Sequence, residues 1–316
     1  MADEMTMTAA AEEKAAELKR SAAPYIHDGS STGVIMSHVL VGLCPALLMG
    51  GIIFGGRAMM LVGVCTIAAM LFERVWMLIM HKPSTAADLS AAVTGMTVGL
   101  CLPATFPFWG ALLGVFISII LVKQLFGGLG KNFLNPALTG AAAVALLFPN
   151  YMEWPTPFYD PYEVSTGVTP LMSHSESYRD LFLGKVCGTI GEVSVIALLA
   201  GGVYLLAMNV ISLHTPLSYA GTVAVFSYFA GEDPLYQVLA GSVIIGAIFF
   251  ANDYVTTPTR WQGKLLFGAG CGALTCVFRF YTELGEGTFY AILAMNLLYA
   301  VGSRVLAGRG ISPSRG

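Results

Sequence analysis

Apolar residues fall along this chain in ten runs, near 34–55, 58–80, 88–103, 107–123 and 133–149, then 191–212, 215–230, 235–251, 263–279 and 287–304. A helix crossing a hydrocarbon layer of about 30 Å needs about 20 mostly apolar residues, so runs of this kind predict membrane-spanning helices. The fold class is therefore an all-α polytopic membrane protein with about ten transmembrane helices. Several runs are short and rich in glycine, which predicts broken or tilted helices among them. A polar segment at 150–190 separates five runs from five. An odd number of crossings per half starts the two halves on opposite sides, so similar halves form inverted five-helix repeats. Two faint echoes fit this: Phe126-Gly127-Gly128-Leu129-Gly130 against Phe267-Gly268-Ala269-Gly270, and proline-bearing turns after the runs at 88–103 and 235–251. Gly-rich membrane helices resemble one another in any case, so absence of a repeat fits equally. The chain divides into an N-terminal segment (1–33), a first membrane half (34–149), a polar loop (150–190), a second half (191–304) and a tail (305–316).

Composition agrees with a membrane protein: of 316 residues 56% are hydrophobic and 11% charged, with a mean hydropathy of +0.71. Soluble domains carry about 25% charged residues. The net charge of -3 and the absence of a basic run argue against nucleic-acid binding. Residues 1–20, rich in Ala, Glu and Lys, do not read as a cleavable signal peptide. Lys14, Lys19 and Arg20 ahead of the first run place the N-terminus in the cytoplasm. Ten crossings then put Arg74, Lys82, Lys123, Lys131, Arg260, Lys264 and Arg304 on that side as well, and the acidic loop with Glu153, Asp160, Glu163 and Glu176 outside. Arg57, Arg179, Lys185 and Arg279 dissent. The six cysteines are scattered, form no CxxC pair and read as small apolar core residues rather than metal ligands.

Chemistry concentrates in two places. The polar loop contains Glu163-Val164-Ser165-Thr166-Gly167-Val168-Thr169 before Pro170-Leu171, an acid, a hydroxyl, a glycine and a second hydroxyl that could present the Thr169 oxygen for attachment of a flavin phosphate. The plain alternative is a loop threonine held extended by the following proline. The second place is Lys123 to Ala137, where three glycines allow tight turns and close ligand approach. Asn132 and Asn135, three apart, would share a face on a helical turn, and their amides match the edge of a flavin pyrimidine ring. A helix N-cap plus a loop turn is the plainer reading, and residue types alone favour it. His38, Glu73, Asp88, Lys123 and Asp253 are ionisable groups in or beside spans, which makes them functional candidates. Glu73 with Arg74 also reads as a local pair, Asp88 as a helix cap and Asp253 as part of a turn. No hydrolase triad, Walker loop, dinucleotide fingerprint or zinc signature competes.

Taken in order, Pro24-Tyr25-Ile26-His27, Asp88 to Gly95, Leu125 to Ala137, Thr166 to Leu171 and Phe249 to Pro258 resemble the D-subunit family of the Rnf complex, the ferredoxin:NAD oxidoreductase that moves sodium ions or protons. The chain is similar, more distantly, to the B subunits of sodium-pumping NADH:quinone oxidoreductases. The resemblance runs from Pro24 to Arg304. It implies covalent FMN on Thr169, with Thr166 and Gly167 at the preceding motif positions, and riboflavin near Asn132 and Asn135. Glu163 stands where the family motif has aspartate, and Val168 where it has alanine. The implied function is a membrane electron-transfer subunit in a prokaryotic cell membrane. Its implied partners are an FMN-carrying subunit, an NAD-reducing subunit and membrane lipid. One electron hop across about 30 Å is implausible, so intermediate carriers or moving cofactors are expected. A solute or ion channel without a redox cofactor, and a purely structural anchor, are the rival classes.

Overall fold

Backbone polar groups inside a hydrocarbon layer need partners within the protein, which favours helices, and the computed structural model is helical with no β-strand among the described residues. It describes residues 31–81, 88–158, 167–282 and 286–308. The first half comprises α1 (Thr32–Phe54), α2 (Gly56–Ile79), α3 (Ser90–Leu100), α4 (Phe108–Phe116, continuing with π-helical turns through Ile117–Gln124) and α5 (Pro136–Leu147). The polar loop carries the short α6 (Pro170–Ser173) and α7 (Tyr178–Leu183). The second half has α8 (Val195–Ala207), α9 (His214–Ala230), α10 (Pro234–Leu239), α11 (Val243–Ile245, continuing as a π-helical turn Gly246–Phe250), α12 (Trp261–Tyr281) and α13 (Thr288–Gly308). Residues 33–316 cluster as one unit; of the other, 1–32, only the last two residues are described.

All ten apolar runs lie on helical segments, but their lengths differ sharply. Among the described residues, α1, α2 and α12, of 23, 24 and 21 residues, are long and apolar enough to cross a membrane, while the remaining apolar helices are shorter. At 1.5 Å per residue, the 11 residues of α3 rise only about 16 Å. Its counterpart in the second half is broken between α10 and α11, where Gly241 adopts φ +68°. The third run of each half is thus the short or interrupted one.

These truncated ends are closed by specific donors. The carbonyls of Leu100 and Leu102, at the end of α3, accept from Gly191 N at 2.8 Å and Ile190 N at 3.1 Å. Arg57 donates to the carbonyls of Ala104 at 2.8 Å and Thr105 at 3.1 Å, with its guanidinium 5.2 Å from the Phe108 ring. Arg279 does the same for the end of α10, donating to Gln237 O at 2.6 Å and Ala240 O at 3.1 Å. Two of the arginines that dissent from the charge asymmetry are therefore helix-end caps, not loop charges.

Close helix crossings use small residues, as in membrane bundles. Along α3, a Cβ on Gly95 would sit 2.5 Å from Cys65 O of α2, and one on Gly99 2.8 Å from the Val62 Cα. Where α1 meets α8, a Cβ on Gly201 would lie 2.0 Å from Gly42 O. The echo between 126–130 and 267–270 is not structural. The first is a turn with Gly127, Gly128 and Gly130 at positive φ, whereas the second is interior to α12. Gly201→Ala should force α1 and α8 apart and destabilise the protein by about 1–3 kcal/mol. Thermal unfolding in detergent measures this, with Gly221→Ala, which meets nothing within 4 Å, as the neutral control.

Candidate functional site

Thr169 stands at the N-cap of α6 with φ -65° and ψ 153°, the extended backbone that a following proline favours. Its carbonyl accepts from Met172 N and Ser173 N at 2.9 and 3.0 Å, but its side chain makes no capping hydrogen bond. Gly167 is fixed by donation of its N–H to Trp154 O at 2.8 Å, and a Cβ there would meet Cys187 Sγ at 2.3 Å. Thr166 and Glu163 lie outside the described residues. Thr169 lines a cavity of about 470 Å3 with Trp154, Phe289, Tyr290, Glu192, Ser242 and Glu286. Typical small-molecule sites enclose about 300–1,000 Å3.

A second, narrower cavity, of about 100 Å3, is lined by Asn132, Asn135, Ser90, Lys123, Asn252 and Asp253 among others. Both asparagines are buried, at 6% and 7% exposure. They do not share a helical face, because residues 131–135 are irregular and the helix begins at Pro136. Asn135 is the N-cap of α5: its Oδ1 accepts from Leu138 N at 3.3 Å, and Pro136 occupies the first helical position. Its own N–H goes to Asn296 Oδ1 at 3.1 Å, and Asn296 in turn donates to Thr256 O at 3.3 Å. Asn132 differs. Its Nδ2 donates to Leu134 O at 3.0 Å, but Oδ1 is buried without a hydrogen-bond partner. A buried acceptor left empty costs about 1–3 kcal/mol, so among the described residues Asn132 is the member of this cavity's lining with hydrogen-bonding capacity to spare. Asp253 accepts from Thr256 Oγ1 at 3.0 Å, and burial raises its carboxyl above the ordinary range.

The two cavities are lined by opposite ends of the same helices. On α3, Thr97 lines the Asn132 cavity and Cys101, at the helix end, lines the Thr169 cavity. On α5, Ala137 and Ala141 do the same. Four helical residues rise about 6 Å. A partition roughly one turn thick, including the fully buried Leu138, therefore separates the cavities.

The other ionisable candidates resolve mainly as structural partners. Glu73 does not pair with Arg74. It meets Lys123 Nζ at 2.8 Å and accepts from Gln124 Nε2 at 2.6 Å, and Lys123 also donates to Ser90 Oγ at 2.6 Å. Both charged side chains are nearly dry, at 2% and 6% exposure. Asp88 Oδ1 accepts from Ser90 N at 2.9 Å and Ser90 Oγ at 2.6 Å, so it closes the start of α3. His38 hydrogen-bonds the Tyr204 hydroxyl at 2.7 Å. Glu192, Ser242 and Asn296 were not singled out from the sequence. Glu192 carried a usable signal, an acid just inside the run starting at 191, whereas Asn296 inside α13 carried none beyond being polar in a span.

Removing one member of the Glu73–Lys123 pair leaves an uncompensated buried charge, which costs about 3–5 kcal/mol. Glu73→Gln and Lys123→Met should each lower unfolding stability by that order, and the double variant should recover most of it. Denaturant unfolding of the purified protein in detergent reads the cycle, and additive losses would contradict the pairing.

Comparison with known proteins places this frame. A profile described as the NQR2, RnfD, RnfE family matches residues 19–307. The chain is 38% identical over 286 residues to the D subunit of the Na(+)-translocating ferredoxin:NAD(+) oxidoreductase complex of Acetobacterium woodii, covering 88% of this chain and 90% of that one. It is 34% identical over 299 residues to the D subunit of the proton-translocating ferredoxin:NAD(+) oxidoreductase complex of Clostridium ljungdahlii, covering 87% and 90%. It is 30% identical over 325 residues to the D subunit of the ion-translocating oxidoreductase complex of Stutzerimonas stutzeri, covering 89% and 92%. With the family profile spanning almost the whole chain, this multi-pass membrane protein belongs to the NQR2, RnfD, RnfE family.

Proposed function

We propose that this chain is the electron-carrying membrane subunit of an ion-translocating ferredoxin:NAD(+) oxidoreductase, with FMN joined to Thr169 through a phosphoester and riboflavin held without a covalent bond in the Asn132 cavity. The observation that carries the reading is the pair of cavities set back to back, one entered beside an uncommitted threonine hydroxyl and the other containing a buried empty acceptor. The names of the relatives support the complex to which such a subunit belongs. Its partners are the other subunits, including an FMN-carrying subunit and an NAD-reducing subunit, and its apolar outer faces meet lipid.

The residues present carry the chemistry a flavin needs; the Thr169 cavity has the room for one, and the Asn132 cavity has to widen to seat a ring. Thr169 supplies the oxygen for the phosphoester, while Trp154, Phe289 and Tyr290 offer flat apolar surface beside it. Asn132 Oδ1 accepts from a ring N–H or a ribityl hydroxyl, and Asn135, tied to Leu138 and Asn296, holds the adjoining wall in place. Bound flavins supply the exchange of one or two electrons that links iron–sulfur carriers to hydride chemistry. The protein's part is to bring the two cavities within about one helical turn of each other, so that no hop spans the full apolar layer. By the positive-inside rule Thr169 faces outward and the Asn132 cavity faces the cytoplasm. Discounting Arg57 and Arg279 as helix caps strengthens that asymmetry.

The denatured wild-type chain should fluoresce as a flavoprotein in a gel, and Thr169→Ala should abolish the signal. A fluorescent denatured Thr169→Ala chain would rule out Thr169 as the attachment point. Asn132→Leu should leave the covalent signal intact and weaken the affinity for added riboflavin about 5- to 150-fold, since a lost buried hydrogen bond is worth about 1–3 kcal/mol. A chain with neither flavin that conducts solute in liposomes would instead establish the channel reading.

A further inference from the structure

The Thr169 cavity contains a charge imbalance. Two of its lining residues are acids, Glu192, 8% exposed, and Glu286, whose side chain is 25% exposed. Arg279 neutralises Glu286 at 3.1 Å, and its other donors go to the carbonyls of Gln237, Ala240 and Glu286. Among the described residues no Lys, Arg or His forms an ion pair with Glu192. Glu192 is held by neutral donors instead: Thr189 N donates to Oε1 at 2.8 Å, and the Ser242 hydroxyl donates to Oε2. Ser242 N donates to Glu286 Oε1 at 2.6 Å, so this one serine bridges the two acids.

The backbone around the pair is shaped to admit it. A Cβ on Gly188 would lie 2.6 Å from Glu192 Oε1, and one on Gly241 only 2.1 Å from Glu286 Oε2. The other titratable groups facing the cavity are Cys101 at the end of α3 and Tyr290 on α13, neither a cation at neutral pH. Glu192, in the connection between α7 and α8, is buried, and the nearest charged group its cavity presents is a second acid, Glu286. A shielded carboxylate without a counter-charge takes up a proton rather than remain ionised.

We propose that Glu192 is the proton-holding residue of the Thr169 cavity: a neutral acid bonded to Ser242, beside the Glu286–Arg279 pair, that exchanges its proton with the group seated there. The O–H bond of Glu192 breaks as its proton passes to that group, accompanying an electron supplied through the complex from reduced ferredoxin. Glu192 is left as a carboxylate and is reprotonated from water at the cavity mouth. This exchange rests on the reading that Thr169 carries a flavin; the protonation of Glu192 does not.

Infrared pH titration of the purified complex tests the first part. The carbonyl band of a protonated carboxyl should persist near pH 7, well above the ordinary glutamate value of about 4.3. It should be missing in Glu192→Gln and shifted to lower pH in Glu286→Gln, where the neighbouring charge is gone. A band unchanged in Glu192→Gln, or one that sodium ions displace at constant pH, overturns the proposal. The second part is read from the rate of flavin reduction in the complex by reduced ferredoxin and its slowing in heavy water, with in-gel fluorescence retained: Glu192→Gln should slow the reduction at least tenfold, and an unchanged rate and isotope effect overturn it. If Glu192→Gln fails to fold, Glu192→Asp replaces it and should move the band and restore part of the rate. A wild-type chain without covalent flavin would refute the function proposed above, while the infrared result still decides the state of Glu192.

Discussion

A backbone N–H or C=O in hydrocarbon must find a partner inside the protein, and the architecture of this chain depends on how that demand is met where helices stop short. α3 ends after 11 residues, and its counterpart is interrupted between α10 and α11. Each interruption exposes carbonyls that a continuous helix would have satisfied. Arg57 and Arg279 close these ends, each donating to at least two carbonyls, while the chain at Ile190 and Gly191 closes the remainder around α3. Interrupted segments in corresponding positions of two halves mark the binding region in many membrane transporters, and here the Thr169 cavity reaches both Cys101 at the end of α3 and Ser242 beside the interruption.

Much of this was legible in the residue pattern. Apolar run length located all ten helical segments, and shortness with glycine anticipated interrupted ones. The polar loop pointed to Thr169 because hydroxyls and an acid stand out where most residues are apolar. What could not be read were pairings set by tertiary packing. Glu73 finds Lys123, 50 positions away, rather than its neighbour Arg74, because α2 packs against α4 and its π-helical extension. The spacing of Asn132 and Asn135 suggested a helical face, yet an irregular turn delivers both to one cavity, and only Asn135 became the N-cap. Glu192 escaped notice because its importance lies in meeting Ser242, 50 residues further on.

The polar groups in the apolar interior fall into two kinds. Asn135, Asn296, Asp88 and the Glu73–Lys123 pair have their hydrogen bonds within the protein and set its shape. Asn132 Oδ1 and the Glu192 carboxyl face cavities with chemistry left over, one an acceptor without a donor and the other an acid without a cation. They stand on either side of a partition about one helical turn thick. Under the proposed function, the distance that on the sequence alone made electron passage difficult would be shortened by cavities lined from opposite ends of α3 and α5.

Covalent flavin on Thr169 is the claim on which the electron-carrying role turns. Mass spectrometry of the Thr169-containing peptide from natively purified complex measures it directly. The account predicts the added mass of one FMN phosphoester localised to Thr169. An unmodified Thr169 peptide, or flavin localised to another residue, would contradict it.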